Sequence, residues 1–210
     1  LRKKLDRRKS MIAAATELFA RSGFENTTMQ NIADQAEVGI ATLFRYFPKK
    51  EDLIIAVIQE IIEQQVPYFE KISQSNKNGI EKVDEVLTTY IHYISEENRE
   101  TSKLLEAFEL YISFNFVDKS MIEIIEKSYD KVSTIIKEII AEGKCDGSIH
   151  LSNSDEQAWE TIFNLFGTAI KKYALYTFLP NSILSVPKPQ ELIVIKEMML
   201  TFLSKSTKMQ

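Results

Sequence analysis

TTMQNIADQAEVGIATLFRYFPKKEDL, residues 27–53, holds two short helical patterns parted by a turn. Thr27, followed three places on by Gln30, predicts a capping box that opens the first pattern. Met29, Ile32, Ala33 and Ala36 then fall at i, i+3, i+4 and i+7, the spacing of one buried helix face. The pattern breaks at Glu37-Val38-Gly39 and resumes to about Tyr46. Pro48 stops it, and a long fourth helix begins near Lys49. In the second short helix Leu43 and Phe47 face inward with Val38, while Ala41 and Arg45 point outward, flanked by Thr42 and Phe44. An outward face of small and polar groups with one arginine suits a groove better than a core. Upstream, Ile12, Ala15 or Thr16, and Phe19 line one side of a longer helix that Gly23 ends as a C-terminal cap. A longer helix followed by two short ones, with Gly39 in the tight turn, is a helix-turn-helix arrangement.

Charge sorts the chain in the same way. Residues 1–50 carry ten Lys/Arg against five Asp/Glu, a net +5, and the other 160 carry sixteen against twenty-five, a net −9. A basic head on an acidic body points to a polyanionic partner for the head alone. Six glycines and five prolines in 210 residues favour helix throughout. Five further helices are expected at about 79–97, 100–115, 118–143, 153–177 and 188–205, about nine in all. The single cysteine, Cys145, permits no intrachain disulfide and no thiolate metal cluster. No apolar run is long enough to span a bilayer, and no signal-peptide core follows the charged start. The expectation is a soluble, cytoplasmic protein with no membrane partner.

The run Ala33-x-x-Ala36-x-Val38-x-x-Ala41-Thr42-Leu43-Phe44-Arg45-Tyr46-Phe47-x-x-Lys50-Glu51-x-Leu53 resembles the signature of the TetR family of repressors. Ala13-Ala14, Leu18-Phe19, Gly23-Phe24 and Thr27-Thr28 fit the same family, so the resemblance covers about Leu5 to Ile58. It implies an all-α fold, with a three-helix DNA-binding domain over 1–50 and a helical effector-binding and dimerisation domain over 51–210. It further implies a homodimer on a near-palindromic duplex, released by a small-molecule effector, with no cofactor and no catalysis.

Arg45 is the candidate for direct base readout, because a bidentate arginine on guanine is the commonest specific contact. Ile40 and Ala41 are placed to touch thymine methyls, and Gln30 either reaches DNA or serves its capping box. Lys50 sits in the first turn of a helix, where the macrodipole disfavours a cation and a phosphate would relieve the conflict. By the resemblance, Thr28 and Tyr46 are phosphate-contacting hydroxyls and Thr42 lies near backbone or base edges. Phe44 replaces a tyrosine common in the family, and Gly39 replaces a capping Ser or Thr. The basic cluster at 2–9 reads as a disordered tail or as an added contact to DNA.

For the body, the aromatic candidates for an effector pocket are Tyr90, Tyr93, Phe108, Tyr111, Phe114, Phe166 and Tyr173, all of which serve equally as core. They suggest an apolar or aromatic effector. Trp159, Ile162, Phe163, Phe166 and Ile170, with Leu192, Ile195, Met199 and Phe202, form stripes rich enough to bury against a twin. No metal set, phosphate loop or nucleophile motif is present. The rival to a DNA-binding regulator is a helical module that binds a protein partner through these C-terminal stripes. Such a module has no use for an outward Arg45 or for Lys50 at a helix start.

Overall fold

The computed structural model describes residues 2–92, 98–115, 117–152, 155–176 and 189–204. Ten helices and no strand occur among them: α1 (Arg2–Asn26), α2 (Met29–Gln35), α3 (Ile40–Tyr46), α4 (Lys50–Glu63), α5 (Val66–Ser73), α6 (Gly79–His92), α7 (Arg99–Phe114), α8 (Lys119–Asp146), α9 (Glu156–Tyr176) and α10 (Pro189–Ser204). The long fourth helix of the sequence pattern is divided at Gln64-Gln65, and Pro67 sits in the first turn of its second part, where a missing N–H costs nothing. The basic cluster at 2–9 is no disordered tail: it forms the first turns of α1, and the Arg8 guanidinium lies 5.2 Å from the centroid of the Phe47 ring.

The chain divides into two compact units, residues 1–64 with 100–129, and residues 65–99 with 130–210. In the first unit, α1 packs on α2 and α4, and α2 packs on α3. Most of the predicted core is buried (Ile12, Ala15, Phe19, Ile32, Ala33, Leu43 and Phe47), while Met29, Ala36 and Val38, expected on the same faces, are half-buried. Each large apolar side chain so buried stabilises the unit by about 1.5–3 kcal/mol. Leu53 to Ile58 are buried without interruption, so α4 is covered on nearly every side. At Gly23 the backbone leaves the helical path with φ +78°, a conformation that suits glycine. Thr27 Oγ1 then donates to the Gly23 carbonyl at 2.8 Å, closing the end of α1.

In the second unit, α10 packs on α6 and α9, and α5 packs on α6. The backbones of α6 and α8 touch at Gly79 and Gly143, and a Cβ on Gly79 would overlap the Gly143 backbone. Asp146 accepts the Gly79 N–H at 2.7 Å and Ser148 Oγ accepts the Ile80 N–H at 3.0 Å, so two orphan donors at the start of α6 are satisfied. Hydrogen bonds from Ser148 and then from Gly79 hold the Asp146 carboxyl below the usual carboxylate range. Lys82, almost fully buried, meets Glu142 at 2.6 Å, which spares the unit an uncompensated buried charge.

Candidate nucleic-acid interface

The helix-turn-helix is built by two different caps. Thr28, and not Thr27, is the N-cap of α2: its Oγ1 accepts the Asn31 N–H at 3.1 Å, and Asn31 Oδ1 accepts the Thr28 N–H at 3.1 Å. The box expected between Thr27 and Gln30 is therefore shifted by one residue. Thr27 is buried and turned back on α1, while Gln30 is exposed and donates to Asp34 Oδ1 at 2.7 Å. Glu37 takes φ +53° in the turn that follows α2, and Gly39 caps α3 with no side-chain bond, as the sequence implies.

On α3, Leu43 is fully buried and Phe47 nearly so, while Ala41, Phe44 and Arg45 are exposed. Ile40, Thr42 and Tyr46 are half-buried at the edges of that face, and Thr28, Gln30 and Gly39 are exposed. Arg45 has no hydrogen bond or ion pair to any described residue. An unpartnered guanidinium on an exposed helix face, beside a small residue and an aromatic one, can donate two parallel hydrogen bonds to a base edge.

Lys50 has a partner that the sequence did not suggest. Its ammonium donates to the Phe24 carbonyl at 2.7 Å and to the Thr27 carbonyl at 3.3 Å, at the negative end of α1. The conflict between a cation and the start of α4 is thus resolved inside the chain, without a phosphate. The helical phase carried the signal: Lys50 lies three and four places before the buried Leu53 and Ile54, on the inner side of α4. Lys49 is the exposed cation there, and its nearest acid, Asp118, is 3.9 Å away. Its backbone N–H donates to Asp52 Oδ2 at 2.8 Å, which caps α4.

Lys50→Met is therefore expected to lower the thermal unfolding midpoint by roughly 3–12 °C, from the loss of about 1.5–3 kcal/mol of charge-assisted hydrogen bonding. Thermal denaturation followed by circular dichroism reads this directly. An unchanged midpoint, with a salt slope of DNA binding reduced by about one, would instead make Lys50 a phosphate ligand.

The expected pocket residues fall in both units. In the second unit Tyr90 stacks on Phe69 with centroids 5.6 Å apart, and Phe166 and Tyr173 are buried. In the first unit Phe108 is buried and Phe114 is 86 % exposed. Tyr111 turns its ring to Phe24 and its hydroxyl to Glu51. Tyr93 lies outside the described residues.

The stripes expected at a dimer face belong largely to the core of the second unit. Trp159, Phe166, Ile170, Leu192 and Met199 are buried within the chain, so they have no surface to offer a twin. Ile162, Phe163, Ile195 and Phe202 are half-buried. The exposed apolar residues lie on the other side of the same helices: Leu165 on α9, and Ile193, Val194 and Met198 on α10. Ile193, Val194, Met198 and Phe202, with Glu197 and Thr201, line a shallow open groove along α10. Both sides of α10 are apolar, and the sequence pattern had picked the bulkier side.

Among the described residues no helix is long and apolar enough to cross a membrane, and no group of three or more acidic, His or Cys side chains is placed to hold a metal.

Residues 11–57 match the family described as bacterial regulatory proteins, tetR family. The chain is 27% identical over 108 residues to the HTH-type transcriptional repressor KstR of Rhodococcus jostii, covering 49% of this chain and 48% of that protein. It spans about half the length, or less, of the curated relatives it matches. Over the whole chain the fold is similar to that of the transcriptional regulator FadR of Bacillus subtilis, solved in complex with stearoyl-CoA, with a TM-score of 0.69 at 19% identity, covering 95% of this chain and 98% of that one. It is equally similar to GusR of Salmonella enterica, with a TM-score of 0.72 at 19% identity, covering 96% and 97%. At that identity the likeness speaks for the fold alone.

Proposed function

We propose that the chain, whose residues 11–57 match the tetR family of bacterial regulatory proteins, is a dimeric repressor whose α3 reads a near-palindromic operator and whose release is set by a small, apolar or aromatic effector. The observation that carries the DNA-reading role is the exposed face of α3, with Arg45 unpartnered between Ala41 and Phe44. Arg45 donates to a guanine edge, Ala41 and Ile40 meet thymine methyls, and Phe44 adds apolar contact. Thr28, Thr42, Tyr46 and Gln30 sit around that face as contacts to phosphate or base edge, and Gly39 lets the backbone at the start of α3 come close to the duplex. Lys49, exposed at the start of α4, joins them as a phosphate contact, and Lys50 supports the scaffold beneath.

Residues 1–50 act as the DNA-binding domain, and residues 51–210 hold the effector and the twin. The second copy covers the α10 groove and Leu165, which supplies the symmetric pairing that a palindrome requires. The work is binding, in the cytoplasm, and not catalysis. The repressor assignment draws on KstR, which is named as one. The stearoyl-CoA in the FadR complex makes a long-chain acyl thioester the first effector probe.

The test is an anisotropy titration of DNA from just upstream of this protein's own gene, at several salt concentrations, against a scrambled duplex. The proposal expects tight binding to the native duplex that weakens steeply with salt, because phosphate contacts release counterions. It also expects added stearoyl-CoA to weaken the native complex by differential affinity for the released state. Equal, weak binding to both duplexes after refolding from denaturant, repeated on a random-sequence library, would favour a protein-interaction module. Indifference to acyl-CoA would remove that effector class and leave the DNA reading in place.

A further inference from the structure

The first unit contains a contact that reading a groove does not by itself require. Tyr111, on α7, sets its ring edge-on to Phe24 with centroids 5.6 Å apart and planes 66° apart. Its hydroxyl donates to Glu51 Oε1 at 3.3 Å, in the first turn of α4. Phe24 is in turn edge-on to Phe19 at 5.1 Å, and its carbonyl accepts the Lys50 ammonium. The same ammonium reaches the Thr27 carbonyl, one residue before the Thr28 cap of α2. Side chains from α1, α4 and α7 therefore converge on residues 24–28, the short junction that aims the helix-turn-helix.

Burial, and then the Glu51 charge, push the Tyr111 phenol up to about 12, so it remains a donor at any physiological pH. α7 itself is anchored by the buried Leu104, Leu105 and Phe108. A shift of that helix cannot leave the junction untouched: it either carries Phe24 along or breaks the contact.

We infer that Tyr111 is a positioning residue for DNA binding, making the aim of the helix-turn-helix depend on where α7 sits through its contacts with Phe24 and Glu51. The inference rests on the DNA-binding proposal and deepens it, because it names the side chain by which a change at α7 reaches the head. Allosteric coupling needs such a contact to differ between two states of the chain.

The experiment compares full-length wild type with Tyr111→Phe, Glu51→Ala and the double variant. Three quantities are measured on each: the thermal midpoint, affinity for the upstream duplex, and amide exchange of residues 24–31. Tyr111→Phe keeps the ring and is expected to stay folded. It should bind the duplex roughly 2–12-fold more weakly, the loss of one hydrogen bond, and exchange faster across 24–31. The double variant should bind no more weakly than the worse single variant, because the two groups act as a pair. Unchanged affinity in Tyr111→Phe, or losses that multiply in the double variant, would overturn the inference. If wild type shows no sequence preference on any DNA, the DNA-binding proposal fails first. The exchange data then decide alone: faster exchange keeps Tyr111 as the residue that holds the junction, and unchanged exchange removes it.

Discussion

Val194→Asp combined with Met198→Glu is expected to turn a dimer into well-folded monomers. Both side chains are more than half exposed in the single chain, so neither substitution opens a cavity or strands a charge in the core. In a two-fold interface each occurs twice, and burial of the exposed part of four such side chains is worth about 4–7 kcal/mol. That corresponds to roughly a 10³-fold to 10⁵-fold loss in the dimerisation constant, before the cost of burying four carboxylates is added. Sedimentation velocity at micromolar concentration reads the outcome, with circular dichroism confirming the fold. Operator affinity should fall with it, since one head alone holds one half-site. A variant that remains dimeric would place the twin on another surface and leave the α10 groove unexplained.

The second large effect is expected at Arg45. Arg45→Ala removes a contact worth about 1–3 kcal/mol of base discrimination, and a dimer loses it twice. Operator binding should weaken by roughly 30-fold to 10⁴-fold, while binding to a scrambled duplex changes little. The unfolding midpoint should not move, because Arg45 is exposed and no described residue pairs with it. This sets it apart from Lys50, whose loss is felt in stability. Equal weakening on both duplexes would make Arg45 a phosphate contact and move base reading to Ala41, Thr42 or Gln30.

The head was legible in the sequence because it is small and its helix ends are set locally. Leu43 and Phe47 on one side of α3, with Ala41 and Arg45 on the other, admit only one way of packing that helix. Glycine at 23 and threonine beside the start of α2 mark the ends of elements by backbone geometry, which local sequence controls. The cap itself slipped by one residue because Thr27 and Thr28 are both good N-caps. The choice between them depends on Thr27 reaching back to Gly23, a tertiary contact. The partner of Lys50 is hidden from the sequence for a related reason. The macrodipole marks Lys50 as a cation in need of a partner, and in the structure that partner is the end of α1, twenty-odd residues upstream.

The body was harder to read. α9 and α10 carry apolar residues on both sides, so periodicity locates the helices and does not say which stripe faces a twin. Aromatic richness was equally ambiguous: Tyr111 and Phe114 share a helix, yet one meets Phe24 and the other stands in solvent.

Whether α3 reads DNA as one half of a symmetric pair is decided by selecting bound duplexes from a random-sequence library with the full-length chain and with Arg45→Ala. A near-palindromic enriched sequence is expected for wild type. In the variant, discrimination should be lost at one symmetry-related base pair in each half-site, with the rest of the sequence retained. Enrichment without two-fold symmetry, or a sequence that Arg45→Ala leaves untouched, would contradict it.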